Sequence, residues 1–172
     1  VRVYNNFADP TANDNDVEHP NFPGALGVEV SIWKACIEWS SRLYADGTGD
    51  PAQNGSLGSG GANFDTFWGG NASSVGGSND NIMSAVTSCS PGVLAYCETP
   101  ISNGWRIRFC ESHNWSDGPG YDIFGYCLQG VGCHEYGHAL GLGHSASNPA
   151  TMYPTISGSG LGQRSIYSDD ID

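Results

Sequence analysis

Apolar and polar positions along the 172-residue chain alternate in two registers, and each register marks a different kind of element. Val1-Arg2-Val3-Tyr4-Asn5 changes character at every step and carries β-branched residues, which predicts a first strand. Between residues 23 and 44, Leu26, Ile32, Trp33, Cys36, Ile37, Trp39, Leu43 and Tyr44 recur at three- and four-residue steps, the spacing that gathers side chains on one face of a helix. The aromatic members of that stripe read as core. Phe64-Asp65-Thr66-Phe67-Trp68 and Asn81-Ile82-Met83-Ser84-Ala85-Val86 are short strand candidates, Gly92-Val93-Leu94-Ala95-Tyr96 is another, and Trp105-Arg106-Ile107-Arg108-Phe109 alternates cleanly as the expected last strand. The connections are polar or Gly- and Ser-rich, at residues 9–23, 46–61, 69–80, 112–120 and 157–162. Residues 121–130 lead into a second helix.

Composition narrows the class without changing this outline. The length suits one domain, residues 1–172, with a core of its own. With 25 Gly, 14% charged and 11% aromatic residues, the chain reads as loop-rich and globular rather than disordered. A net charge of −12 with only six Lys and Arg argues against nucleic-acid binding, because no basic cluster exists to neutralise phosphates. No apolar run approaches a membrane span and no signal peptide is present, and a chain that opens on Val1 reads as a processed form. Asp9, Asn13, Asp14, Asn15, Asp16 and Glu18 offer calcium-compatible oxygens but lack the EF-hand spacing, so they read as a solvated acidic loop with His19 exposed beside it. Calcium stays open as a second cation with no ligands assigned. The glycines around Gly47-Thr48-Gly49-Asp50-Pro51 have no Gly-Lys-Ser/Thr ending, so they are turn chemistry and not a phosphate loop.

Six cysteines without paired Cys-x-x-Cys spacing suit three disulfides in an oxidising compartment, with reduced buried thiols as the alternative. Many connectivities are open. The expected one joins Cys89 to Cys97 and Cys110 to Cys127 locally and ties the two helices through Cys36 and Cys133, where a bridge next to His134 would fix the second helix.

The chemistry concentrates in Cys133-His134-Glu135-Tyr136-Gly137-His138-Ala139-Leu140-Gly141-Leu142-Gly143-His144, the pattern H-E-x-x-H-x-x-G-x-x-H. On a helix, His134 and His138 project from one face and can share a metal ion. Glu135 stands beside them, placed to act as a general base on a water at the site. Gly141 can adopt positive φ, end the helix and bring His144 back as a third ligand. Three neutral nitrogens leave one tetrahedral position open, which is the pattern of a catalytic zinc site and not of a closed structural one.

This stretch resembles the metzincin metalloproteases, and Ser145 after the third His places it nearest the matrixins. Ala150-Thr151-Met152-Tyr153-Pro154-Thr155 is similar to the matrixin Met-turn, with Met152 beneath the metal. The resemblance implies an α+β fold: a twisted, mainly parallel sheet of about five strands with an antiparallel edge strand, two long helices, and a short C-terminal helix start at Ser168-Asp169-Asp170-Ile171-Asp172. It implies that Gly92, Val93, Leu94, Ala95 and Tyr96 form the upper rim of a substrate cleft, pairing with extended peptide, and that Pro154, Thr155 and Ile156 line its specificity pocket. Where a matrixin holds a second, structural zinc this chain has Tyr96 and Phe109, so no structural zinc is expected. The function implied is a secreted, monomeric zinc endopeptidase acting on protein or peptide, in which Glu135 activates water and His134, His138 and His144 hold one zinc. A non-catalytic zinc-containing recognition or adhesion domain on the same fold is the rival, which the presence of Glu135 disfavours.

Overall fold

The computed structural model describes residues 2–3, 27–41, 67–68, 81–98, 104–116, 125–156 and 158–170. In chain order these form β1 (Arg2–Val3), α1 (Gly27–Ser41), β2 (Phe67–Trp68), β3 (Ile82–Val86), β4 (Ala95–Glu98), β5 (Arg106–Cys110), β6 (Trp115–Ser116), β7 (Tyr126–Cys127) and α2 (Leu128–Ala139), followed by 3₁₀ turns at Leu161–Arg164 and Ser168–Asp170. The architecture is α+β. The loops expected at 9–23, 46–61 and 69–80 lie outside the described residues, as do Leu26, Leu43, Tyr44 and the outer residues of the first two strand candidates.

The main sheet runs β2-β1-β3-β5-β4, parallel throughout except for β4, which lies antiparallel to β5 at one edge. Parallel strands covered on both faces lose the alternation of a half-wet strand, and β3 is buried at four consecutive positions, Ile82 to Ala85. In β5 the inward residues Ile107 and Phe109 are fully buried, yet Arg108 on the other face is only 3% exposed. Its guanidinium is satisfied inside the protein, by Ser84 Oγ at 2.8 Å and Glu98 Oε1 at 3.1 Å. Glu98 also bonds Arg106, and the two guanidinium groups hold its carboxyl below the usual carboxylate range against the opposing effect of its burial.

The helices pack on each other over this sheet. Val28, Ile32 and Cys36 of α1 and Val131, Tyr136 and Ala139 of α2 join Met83, Ile107 and Phe109 in one buried cluster. Trp39 Nε1 donates to the Cys133 carbonyl at 2.8 Å, an α1-to-α2 bond that fixes the helices lengthwise. Trp105 meets Tyr136, and Phe109 meets Trp115, edge to face at 5.4 Å between centroids.

Several expectations need correction. Trp33 is 36% exposed and stands outside the core stripe, because the burying face of α1 runs through Val28, Ile32, Ala35 and Cys36. The edge strand lies at Ala95–Glu98, later than the segment expected, and Trp105 to Phe109 does not end the strand series. The stretch 112–120, expected as a loop, contains β6, which pairs with β7 in parallel. Trp115 is the reason: its ring is buried against Phe109 and its Nε1 donates to the Cys110 carbonyl at 2.9 Å, so the chain is drawn in beside β7.

The expected cysteine pairing is replaced as well. The bond present joins Cys89 to Cys110, with Cα atoms 6.0 Å apart, while Cys36, Cys97, Cys127 and Cys133 form no disulfide. Sheet register decides this. Val86 lies beside Cys110 in the parallel pair, so the chain leaving β3 brings Cys89 back over the end of β5. Cys127 is occupied otherwise: its sulfur accepts from Gly130 N at 3.3 Å and from Arg164 Nε at 2.9 Å, capping the start of α2. Cys36 and Cys133 are the buried thiols of the alternative reading. Burial pushes Cys36 up to about 12 and raises Cys133 well above an ordinary thiol.

Candidate metal centre

Helix α2 carries two of the three histidines and the loop after it supplies the third. The helix ends at Ala139, where the Leu140 amide bonds back to Tyr136 and Gly137. Gly141 then takes φ 99°, a left-handed turn that residues with a β-carbon rarely adopt. That turn folds Leu142 over the helix end, and its carbonyl lies 2.9 Å from His138 Nδ1. On the far side His134 Nδ1 lies 2.7 Å from the Thr151 carbonyl. A carbonyl only accepts, so in each ring Nδ1 carries the proton and Nε2 is left as a lone-pair donor.

The three rings converge. Centroids are 4.8 Å apart for His134 and His138, 5.3 Å for His134 and His144, and 4.8 Å for His138 and His144. One nitrogen from each lies within 4.8 Å of the others, which makes this the group of metal-capable side chains found among the described residues. Burial, reinforced by the other two imidazoles, lowers His134 to about 4 even though the Thr151 carbonyl works against it. His144 is lowered by its partial desolvation and by His138. Neutral rings are the form that binds a metal.

Glu135 is 6% exposed and sits beside the triad. Burial raises its carboxyl to about 7, moderated by a hydrogen bond from the Cys97 amide. Oε2 is buried with no partner. A buried carboxylate oxygen left unpaired is costly, and it points to a group that this site receives from outside the chain. Three neutral imidazole nitrogens and an orphaned carboxylate oxygen fit a zinc ion with an open coordination position.

Met152, in the turn that follows the third histidine, is 2% exposed. The helix approaches it at Gly137, where a β-carbon would run into the Met152 sulfur and the Trp39 ring. The turn that holds Met152 is anchored by a residue that sequence reasoning assigned only to the first turn of a closing helix. Asp170 accepts from Met152 N at 2.8 Å, Thr151 N at 2.9 Å and Tyr167 N at 2.8 Å. Gln163, also missed, donates to the Thr151 and Tyr153 carbonyls at 3.3 and 3.4 Å. Asp169 bonds the Ser145 hydroxyl, which accepts from Ser147 N at 2.8 Å.

A cavity of about 620 Å³ opens over the triad. Gly92, Val93, Leu94, Ala95 and Tyr96 line one side and Pro154, Thr155 and Ile156 another, so the structure brings together all the rim and pocket residues expected from sequence. It adds Cys97, His113, Tyr126, Val131 and Gln163, which sequence reasoning did not assign to a site. His113 anchors the rim, with Nε2 2.9 Å from the Val93 carbonyl and its ring edge-on to Tyr126.

The matrixin family profile matches residues 79–172, more than half of the chain. The chain belongs to the matrixin family. Matrixins are zinc metalloendopeptidases, and the His134, His138 and His144 group fits the zinc that the family implies. Among its relatives, stromelysin-1 of Rattus norvegicus is 38% identical over 86 residues, which is 48% of this chain and 17% of that protein. Interstitial collagenase of Oryctolagus cuniculus is 39% identical over 82 residues, 47% of this chain and 16% of that protein. Metalloendoproteinase 2-MMP of Arabidopsis thaliana is 35% identical over 86 residues, 47% of this chain and 22% of that protein. The matched matrixin stretch therefore spans under a quarter of the length of each of these three relatives. Among the described residues no helix is long and apolar enough to cross a membrane.

Proposed function

We propose that this matrixin chain is a secreted, monomeric zinc-dependent endopeptidase in which residues 1–172 form one catalytic domain. The observation that carries the reading is the Glu135 Oε2 atom, buried without a partner beside three imidazoles that converge on one point. His134, His138 and His144 would hold the zinc, which when bound polarises the scissile carbonyl and acidifies water. Glu135 takes the proton from the attacking water and passes it to the departing amine. In the metal-free protein burial raises this carboxyl, the direction that suits a group that both takes up and returns a proton. Met152 supports the ring of ligands from below. Among the described residues no strand lies beside the outer edge of β4, which favours extended peptide laid against the rim at Gly92, Val93, Leu94, Ala95 and Tyr96, with Pro154, Thr155 and Ile156 opposite. The Cys89–Cys110 bridge supports an oxidising, extracellular setting.

The test is Glu135→Gln, which keeps the size of the side chain and removes its basicity. Peptide cleavage is expected to fall by ~10²–10⁴-fold while zinc stoichiometry stays at the wild-type value. Equal cleavage by variant and wild type would overturn the role of Glu135. A wild type that binds zinc and peptide without cleaving would favour a recognition domain.

A further inference from the structure

The rim of the cleft is tied down at few points. Residues 92–94 precede β4 and lie outside its ladder, with Gly92 exposed and Val93 and Leu94 half-buried. The Val93 amide donates within its own turn, to the Ser90 carbonyl at 3.1 Å. Among the described residues two hydrogen bonds tie this segment to distant parts of the chain. Cys110 N donates to the Leu94 carbonyl at 2.9 Å, and His113 Nε2 lies 2.9 Å from the Val93 carbonyl. A carbonyl only accepts, so His113 Nε2 is the donor. His113 is itself braced: its amide donates to the Cys110 carbonyl at 3.3 Å, and its ring is edge-on to Tyr126 at 5.5 Å and to Trp115 at 6.4 Å. Trp115 is buried, and Tyr126 belongs to β7, which runs directly into α2. The side chain therefore links the rim to the start of the helix that carries His134, Glu135 and His138, and both His113 and Tyr126 line the cavity between them.

We propose that His113 is a positioning residue for peptide: by holding the Val93 carbonyl it fixes the rim against the frame of α2. It touches no reacting atom. An extended peptide takes its main-chain bonds from the rim, so a rim free to drift weakens the hold on substrate before any bond is broken. Once the peptide is seated, the histidines and Glu135 act as before. The loss therefore falls on KM and not on kcat. The effect on KM rests on the protease reading above; the hold on the rim does not.

Two substitutions in the zinc-loaded full chain separate the donor from the ring. His113→Phe keeps an aromatic ring against Tyr126 and Trp115 and removes the donor, whereas His113→Gln gives up the ring and offers an amide N–H in its place. For a fluorogenic peptide, His113→Phe is expected to raise KM by ~2–10-fold, the worth of one neutral hydrogen bond, with kcat and zinc stoichiometry at their wild-type values. Backbone amide exchange over residues 90–96, followed by mass spectrometry, is expected to quicken in the same variant. His113→Gln is expected to bring both KM and exchange back toward wild type. Unchanged KM or unchanged exchange in His113→Phe, a fall in kcat alone, or a Gln variant as impaired as the Phe variant overturns the proposal. A wild type that cleaves nothing defeats the protease reading alone, and the exchange rates still decide whether the His113 donor holds the rim.

Discussion

Asp170 lies far along the chain from the histidines, yet its removal is expected to damage both the fold and the zinc site. In Asp170→Ala the carboxylate that accepts from Thr151, Met152 and Tyr167 is lost. Tyr167 is partly exposed and water can replace its partner, whereas Thr151 and Met152 are 0% and 2% exposed and their amides would be stranded. Each stranded buried amide costs roughly 1–3 kcal/mol, so the variant is expected to lose about 2–6 kcal/mol. Against a domain stability of about 5–15 kcal/mol that is a large share. The same change frees Thr151, whose carbonyl orients His134, and loss of such an outer partner typically costs ~10–100-fold in metal affinity. Asp169→Ala is the control, since Asp169 is exposed and its bond is to the Ser145 hydroxyl. It is expected to change stability by less than ~1 kcal/mol. Urea unfolding of both variants with and without zinc, together with zinc titration against a competing chelator, measures both effects. An Asp170→Ala protein as stable as the Asp169→Ala protein, with wild-type zinc affinity, would refute the reasoning.

Gly137→Ala gains roughly 1 kcal/mol of helix propensity but forces a methyl group into Met152 and Trp39, an overpacking cost of ~1–3 kcal/mol, so a net loss in thermal stability is expected and a net gain would contradict the close approach. Replacing Cys89 and Cys110 together by Ala, which removes a link across a sequence separation of 21, is expected to cost about 2–4 kcal/mol in chemical unfolding, while Cys36→Ala leaves that link intact. In the zinc-free protein Glu135 is raised to about 7, so its contribution to stability falls as pH rises from 4.5 to 7, whereas His134 is lowered to about 4 and its contribution grows from 4 to 6.5. The two offset in wild type; Glu135→Gln removes the first, and its stability is expected to climb with pH more steeply by up to about 1.4 kcal/mol per unit, a difference that pH-dependent urea unfolding would show or exclude.

The convergence of the three histidines was legible because its geometry is local: a four-residue step on a helix and a glycine turn place His134, His138 and His144 whatever the rest of the chain does. The α1 helix and the β3 and β5 strands were legible from periodicity for the same reason. What escaped depends on register between distant segments. The partner of Cys89 is set by Val86 lying beside Cys110, and the burial of Arg108 by Glu98 lying beside Arg106. Neither follows from spacing, since alternation in Trp105 to Phe109 marks Arg108 as outward-facing without saying what covers it. Asp170 serves backbone amides 18 and 19 residues away, and any residue at those positions would offer the same amides. The pair β6 and β7, two residues each, is too short to show a period at all.

Two of the histidines are held through Nδ1 by main-chain carbonyls, and this fixes where an added proton can go. With Nδ1 already protonated, only Nε2 remains, the atom left free to bind a metal. Protons and metal therefore compete for a single nitrogen on each of these rings, and neither ring can store a charge elsewhere while the other ligands stay in place. A cation held at these nitrogens would be displaced by acid through direct substitution, without any need to unfold the helix. Because the carbonyls of Thr151 and Leu142 belong to the backbone, the competition survives changes of side chain at both positions so long as the two loops keep their course.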